Sequence, residues 1–251
     1  MAVNNSLTKT KQTVQTNVTE YESNGETVKL SPATIRNYLV SGGGEVSDQE
    51  VMMFLSLCRF QHLNPFLKEA YLIKYGTSPA TIVTGKDVFT KRAKRNKDYA
   101  GKQAGIIVRD NETGEVTERE GTFYQPKEET IIGGWAKIFI KGQDVPEYAS
   151  VPFDEYAGRT KDGKLNSQWA TRPATMVRKV ALVQALREAF PEDYSGLLSP
   201  EEVPEASAIN LDDAAPIAPS ASAEPQEEKA EQIPTQETLP LETPEAALFG
   251  V

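Results

Sequence analysis

Gly85-Lys86, in the segment TGKD, is the pair of residues closest to a phosphate-binding signature. An ATP-binding loop needs GxxxxGK followed by Ser or Thr, because the loop amides cradle the phosphates and the hydroxyl holds magnesium. Here Asp87 takes the hydroxyl position, and Ala80 stands where the first glycine belongs. Both departures remove the chemistry, so an ATP-driven motor is not expected. A metal-dependent nuclease would need carboxylates converging on divalent ions. Asp110, Glu112, Asp144, Asp154 and Glu155 are of the right type, but most stand in turn-like stretches where acids are ordinarily solvated. His62 is the single histidine, which leaves little material for zinc or imidazole catalysis. Cys58, the single cysteine, lies in the apolar run VMMFLSLCRF and reads as a buried thiol. The expectation is a protein that is not an enzyme, with no metal site.

Charge is the more informative chemistry. The 251-residue chain carries a net charge of -9, but unevenly. From residue 201 onward there are twelve acids and one base, a net of -11, whereas residues 1–200 carry a net of +2. Within this weakly basic body, GKDVFTKRAKRNKDYAG at residues 85–101 holds six Lys and Arg against two Asp. At about 100° per residue on a helix, Lys91, Arg92, Lys94 and Arg95 share one arc, while Phe89 and Ala93 fall opposite. A charge run is commonly a solvated face, but few acids are interleaved here at i,i+4 spacing to neutralise it. Arg172, Arg178, Lys179 and Arg187 form a second basic set on or beside a long apolar segment. Basic side chains on such a segment either snorkel to solvent or line a groove. Trp169, just before it, is either core or a platform for stacking bases. Basic side chains that track a backbone, together with aromatic faces, are what single-stranded nucleic acid requires.

The elements that must position these residues follow from period and punctuation. Residues 1–29 show no apolar period and read as a mobile N-terminal arm. SPATIRNYLV opens as a short helix, with Ser31 as N-cap and Pro32 at the first position. Ser47 and Glu50 form a capping-box pattern before Val51, Phe54, Leu55 and Cys58, which recur at helical spacing until Asn64-Pro65. EAYLIKY, ATIVT, QAGIIVRD, VTEREGTFY, IIGGWAKIFIK and EYASVPF are β-rich runs separated in several places by turn residues. A helix is expected over residues 86–97, and the strongest runs from Pro173 to Phe190, where Pro191 stops it. Strands followed by a crossing helix indicate an α+β domain built on an antiparallel meander. Residues 204–251 are rich in Ala, Pro, Glu, Ser and Gln, so disorder is expected there. Leu248 and Phe249 near the end are either a docking motif or an incidental apolar terminus. No run of about 18 apolar residues is present, so no membrane-spanning helix is expected.

Three ordered blocks, HLNPFLKEAYLIKY, ATIVTGKDVFTKRAKRNKDYAG and SQWATRPATMVRKVALVQALREAFPEDYSG, resemble the RecT and Red-beta (Bet) family of phage single-strand annealing proteins. The resemblance covers roughly residues 35–200. It implies an α+β fold like the Rad52 annealing core, over residues 30–203. It also implies a homo-oligomer, ring or helical filament, that binds and anneals single-stranded DNA without ATP or cofactor. A divalent cation modulating DNA binding is compatible with this. Implied partners are a phage 5′→3′ exonuclease and a host single-strand binding protein, in the bacterial cytoplasm. Arg178, Arg187 and Lys68 match the pattern as DNA-binding residues, with Lys86 and Trp169 in the matched blocks. The remaining candidates, Lys91, Arg92, Arg95, Arg172 and Lys179, rest on their charge. Some Red-beta members carry Lys where this chain has Ala174 and Val180. The chain's tail also lacks the apolar periodicity of the Red-beta C-terminal domain. The acidic tail then either competes with DNA for the basic groove or serves solubility. The alternative to annealing is an interaction adaptor whose basic stretch meets an acidic partner.

Overall fold

The computed structural model describes residues 18–203. The outer parts of the expected arm and all of the expected tail, including Leu248 and Phe249, lie outside the described residues. The chain opens with a hairpin, β1 (Thr19–Ser23) and β2 (Glu26–Leu30). This corrects the expectation of an arm extending to residue 29. Asn24 and Gly25 turn it with φ of +57° and +85°, the left-handed pair that a two-residue hairpin loop requires. Tyr21 and Ser23 alternate with exposed residues and are buried, as are Val28 and Leu30. The Tyr21 hydroxyl donates to the Leu63 carbonyl at 2.7 Å and the Ser23 hydroxyl to that of His62 at 2.7 Å. The hairpin is thereby stitched to the segment that follows α2.

Ser31 caps α1 (Pro32–Thr34), which runs directly into a π-helical turn, Ile35–Leu39. The capping box at Ser47 and Glu50 is complete and starts α2 (Asp48–Phe60). The inward face of α2 is Val51, Phe54, Leu55 and Cys58, as the spacing implies. Burial pushes the Cys58 thiol up to about 12, so this sulfur is a packing group at neutral pH.

The expected single meander is two sheets. The smaller has order β3-β4-β5, made of β3 (Val40–Ser41), β4 (Ala70–Ile73) and β5 (Thr81–Thr84). Its short β3–β4 pairing is parallel, and β4–β5 is antiparallel. The larger has order β7-β6-β8-β9 and is antiparallel throughout. Its strands are β6 (Tyr99–Asp110), β7 (Val116–Glu120), β8 (Glu129–Ile140) and β9 (Glu147–Pro152). After the edge strand β7, the chain crosses to the other side of β6 and returns as β8. Between the sheets in sequence lies α3 (Lys86–Arg95). Two short helices, α4 (Phe153–Tyr156) and α5 (Ser167–Thr171), lead to α6 (Pro173–Ala189).

α6 carries apolar residues on every side, and nine of its residues from Ala174 to Leu186 are buried. A helix apolar all round must be covered all round. The large sheet covers one side, α3 and the segment after α6 another. The close approach to the sheet depends on Gly134 in β8. A Cβ built there would lie 2.6 Å from the Val177 carbonyl oxygen. Among the described residues no helix is long and apolar enough to cross a membrane.

Candidate nucleic-acid interface

The first two motif blocks of the sequence meet at one junction. Asn64 starts a single 3-10 turn, Pro65–Leu67, and its side chain accepts the Phe66 amide at 3.0 Å. Lys68 then takes a left-handed conformation, φ +59°. Its carbonyl oxygen sits where a Cβ on Gly85 would stand, 2.5 Å away. The Gly85 amide donates to the Glu69 carbonyl at 3.2 Å. Only glycine lets the LNP turn and the strand-to-helix step nest this closely, and the nesting sets where α3 begins.

From that start the basic residues of α3 divide into two groups. Lys91, Arg92 and Arg95 line a hollow of about 250 Å3 on the hairpin side, with Asn24, Phe60, Gln61, His62 and Glu69. These three are occupied. Lys91 Nζ lies 2.7 Å from Glu69 Oε1, a carboxylate that is itself buried. Arg92 donates to Gln61 Oε1 at 2.9 Å, to the Gln61 carbonyl at 2.5 Å and to the Asp193 carbonyl at 2.7 Å. Burial lowers the Arg92 pKa, which is the mark of a guanidinium spent inside the fold. Arg95 donates to the Asn24 side chain in the hairpin turn. The absence of i,i+4 acids therefore misleads: neutralisation comes from Glu69 and from carbonyls on other elements.

Lys86 faces the other way, into a cleft of about 230 Å3 between α3, β6 and α6. Its lining brings together Lys86, Lys102, Arg172, Arg178 and Lys179, against a single acid, Asp87. The floor is apolar, with Phe89, Met176, Leu182, Val183 and Leu186. Arg178 is aimed by its Nε–H, which donates to the Ala104 carbonyl of β6 at 3.1 Å. Among the described residues no carboxylate lies within ion-pair distance of Lys86, Lys102, Arg172 or Arg178. The positive field is registered by Lys102, whose pKa is lowered first by burial, then by Arg178 and Lys94. Lys86 adds to that repulsion, and Asp87 partly offsets it.

Lys102 is the cleft residue missing from the sequence candidates. Its signal was the period of two, since Lys102, Ala104, Ile106 and Val108 share the inward face of β6. A lysine in line with a core face, at the end of a strand, points into whatever lies at the rim of that core.

Other expected site residues stand outside the free part of this cleft. Lys179 Nζ lies 2.5 Å from Glu201 Oε1, and both side chains are largely buried. Arg187 donates two bonds to the Glu202 carboxylate and one to the Leu197 carbonyl at 2.5 Å, and stacks its guanidinium over Phe89 at 5.5 Å. Glu201 and Glu202 belong to a 3-10 turn, Pro200–Glu202, that packs beside α6. Trp169 is fully buried in α5, edge-on to Phe153 at 5.3 Å. No base can reach its ring in this conformation, so the core reading is the one its position supports. Lys68 is half-buried at the LNP turn, away from the cleft lining.

The RecT family model matches residues 25–215. That span runs from the turn of the hairpin past the end of α6, and so includes every element that builds the cleft. The chain belongs to the RecT family. An uncharacterized protein of Ureaplasma parvum serovar 3, UU154, is 30% identical over 150 residues, 60% of this chain. The match spans 55% of that relative's length. RecT proteins are single-strand annealing proteins of DNA recombination, which bind DNA. Among the described residues no group of His, Cys, Asp and Glu is placed to hold a metal ion.

Proposed function

We propose that the protein binds single-stranded DNA through the cleft between α3 and α6 and pairs complementary strands without ATP. The observation that carries this reading is the set of four cations, Lys86, Lys102, Arg172 and Arg178, facing one acid with no carboxylate partner among the described residues. Phosphate oxygens are the complementary charge, and contacts to them position a strand without reading its sequence. Base pairing then supplies the specificity, while the protein holds the strand and reduces repulsion between two polyanions.

Assembly of several copies along one strand multiplies a weak contact per protomer into tight binding. A homo-oligomer, ring or helical filament, on a core like that of Rad52 fits this arrangement. A 5′→3′ exonuclease that exposes the strand and a host single-strand binding protein that hands it over are the partners such a role requires. Divalent cations would modulate binding by screening the same phosphates.

The adaptor reading is less well supported, because most cations on the hairpin side of α3 are already paired and RecT membership points to DNA. The test is to mix the protein with two complementary fluorescent oligonucleotides in the absence of ATP and follow duplex formation. Acceleration over the spontaneous rate is the expected result, and an unchanged rate rejects annealing.

A further inference from the structure

The cleft has two chemistries, a basic rim and an apolar floor, and phosphate binding uses only the rim. Met176 and Leu182 are 8% and 9% exposed, the α6 side chains whose remaining surface opens on the floor. Lys102 and Arg178 also line the cleft, and their aliphatic stems add apolar surface to it. A site for phosphate alone would gain nothing from such a floor.

Size narrows the occupant. About 230 Å3 lies below the roughly 300–1,000 Å3 of sites that enclose drug-sized ligands. That space is of the order of one unit of a strand and is small for a stacked pair of bases.

We infer that the cleft takes a single unpaired nucleotide, with its phosphate on Lys86, Lys102 and Arg178 and its base turned onto Met176 and Leu182. This deepens the proposed DNA-binding role and rests on it. The nucleotide must leave the stack to enter, and that costs least when the strand is already single. Flanking nucleotides stay outside, with base edges open to a second strand.

The test compares two DNAs on the full chain at raised salt: a thymidine oligonucleotide, and an abasic oligomer of equal length and charge. The inference expects the base-bearing strand to bind tighter by about tenfold, the scale of one buried base contact. Leu182→Asn, or the size-matched Met176→Gln if the first fails to fold, should bring that ratio towards one. Equal binding of the two DNAs by the unaltered protein overturns the base contact and leaves the phosphate cleft standing. A ratio that persists in a folded variant overturns its placement on this floor. Binding of neither DNA overturns the cleft itself, together with this inference.

Discussion

The Arg187 guanidinium reaches from α6 to the Glu202 carboxylate, with Nη2 2.6 Å from Oε2. Both side chains are largely buried, at 21% and 16% exposure. Glu202 in turn accepts the Ser199 amide at 2.7 Å, so the arginine anchors the whole turn after α6. Removing one partner of such a pair strands the other charge. Arg187→Ala should therefore lower stability by about 3 kcal/mol. Urea unfolding without DNA measures it, and a variant that unfolds like the parent but binds DNA poorly would contradict this assignment.

Salt dependence separates the cleft cations from the anchoring ones. Each phosphate neutralised on a single strand contributes about -0.7 to the slope of log K against log salt, so four contacts give a slope near -3. Lys86→Ala, Arg172→Ala and Lys102→Ala should each flatten that slope by about 0.7. Lys91→Ala, whose lysine is held 2.7 Å from Glu69, should leave it unchanged. Titrations at several salt concentrations decide between the two sets.

Local rules made much of this legible in the sequence. Ser31 with Pro32, the Ser47–Glu50 box and the long apolar α6 all depend on residues a few positions apart. The hairpin signal was also present, since Asn24-Gly25 sits between alternating Tyr21, Ser23 and Val28, Leu30. What the sequence hides is which charges are already paired. Lys91 meets Glu69 across 22 positions, Arg92 meets Asp193 across 101, and Arg187 meets Glu202 across 15. Those partners come together only through tertiary packing, so a basic run alone reads as more available than it is. The division of α3 into a paired side and an open side follows from where the Lys68–Gly85 junction starts the helix.

Gly134→Ala tests how tightly α6 is tied to the sheet. The new Cβ would stand 2.6 Å from the Val177 carbonyl and 3.2 Å from the Arg178 amide, both backbone atoms that cannot swing aside. The helix must shift, at a cost of about 1–3 kcal/mol. Because Arg178 is next in line, DNA affinity should fall together with the melting temperature. Loss of stability alone, with binding intact in the folded protein, would mean that the sheet contact does not set the cleft.

Acid sensitivity should centre on Glu50. Its carboxylate accepts Lys74 Nζ at 2.7 Å and the Ser47 and Ala80 amides at 2.8 and 2.7 Å, joining α2 to both sides of the β4–β5 hairpin. These bonds lower its pKa from 4.5 to about 2. A carboxylate lowered on folding contributes stability that is fully present above 4.5 and is lost as pH falls towards 2. Glu50→Gln should thus be less stable than the parent at neutral pH, with the gap closing over that acidic window. A gap independent of pH would argue that shape, and not charge, is what Glu50 provides.

Alkaline pH should weaken DNA binding through Lys102. The neutral amine is favoured in the free protein by burial and by the charges of Arg178, Lys94 and Lys86, which lower its pKa from the usual 10.5. A phosphate in the cleft favours the charged form, so binding is coupled to proton uptake once Lys102 begins to lose its proton. Affinity should then be constant near neutrality and decline with rising pH before ordinary lysines titrate. Arg stays protonated throughout this range, so Lys102→Arg should flatten the decline while keeping the salt slope. Binding measured across the alkaline range on the parent and this variant provides the check. A decline of equal steepness in both would assign the effect to other lysines of the cleft and remove Lys102 from the phosphate contacts.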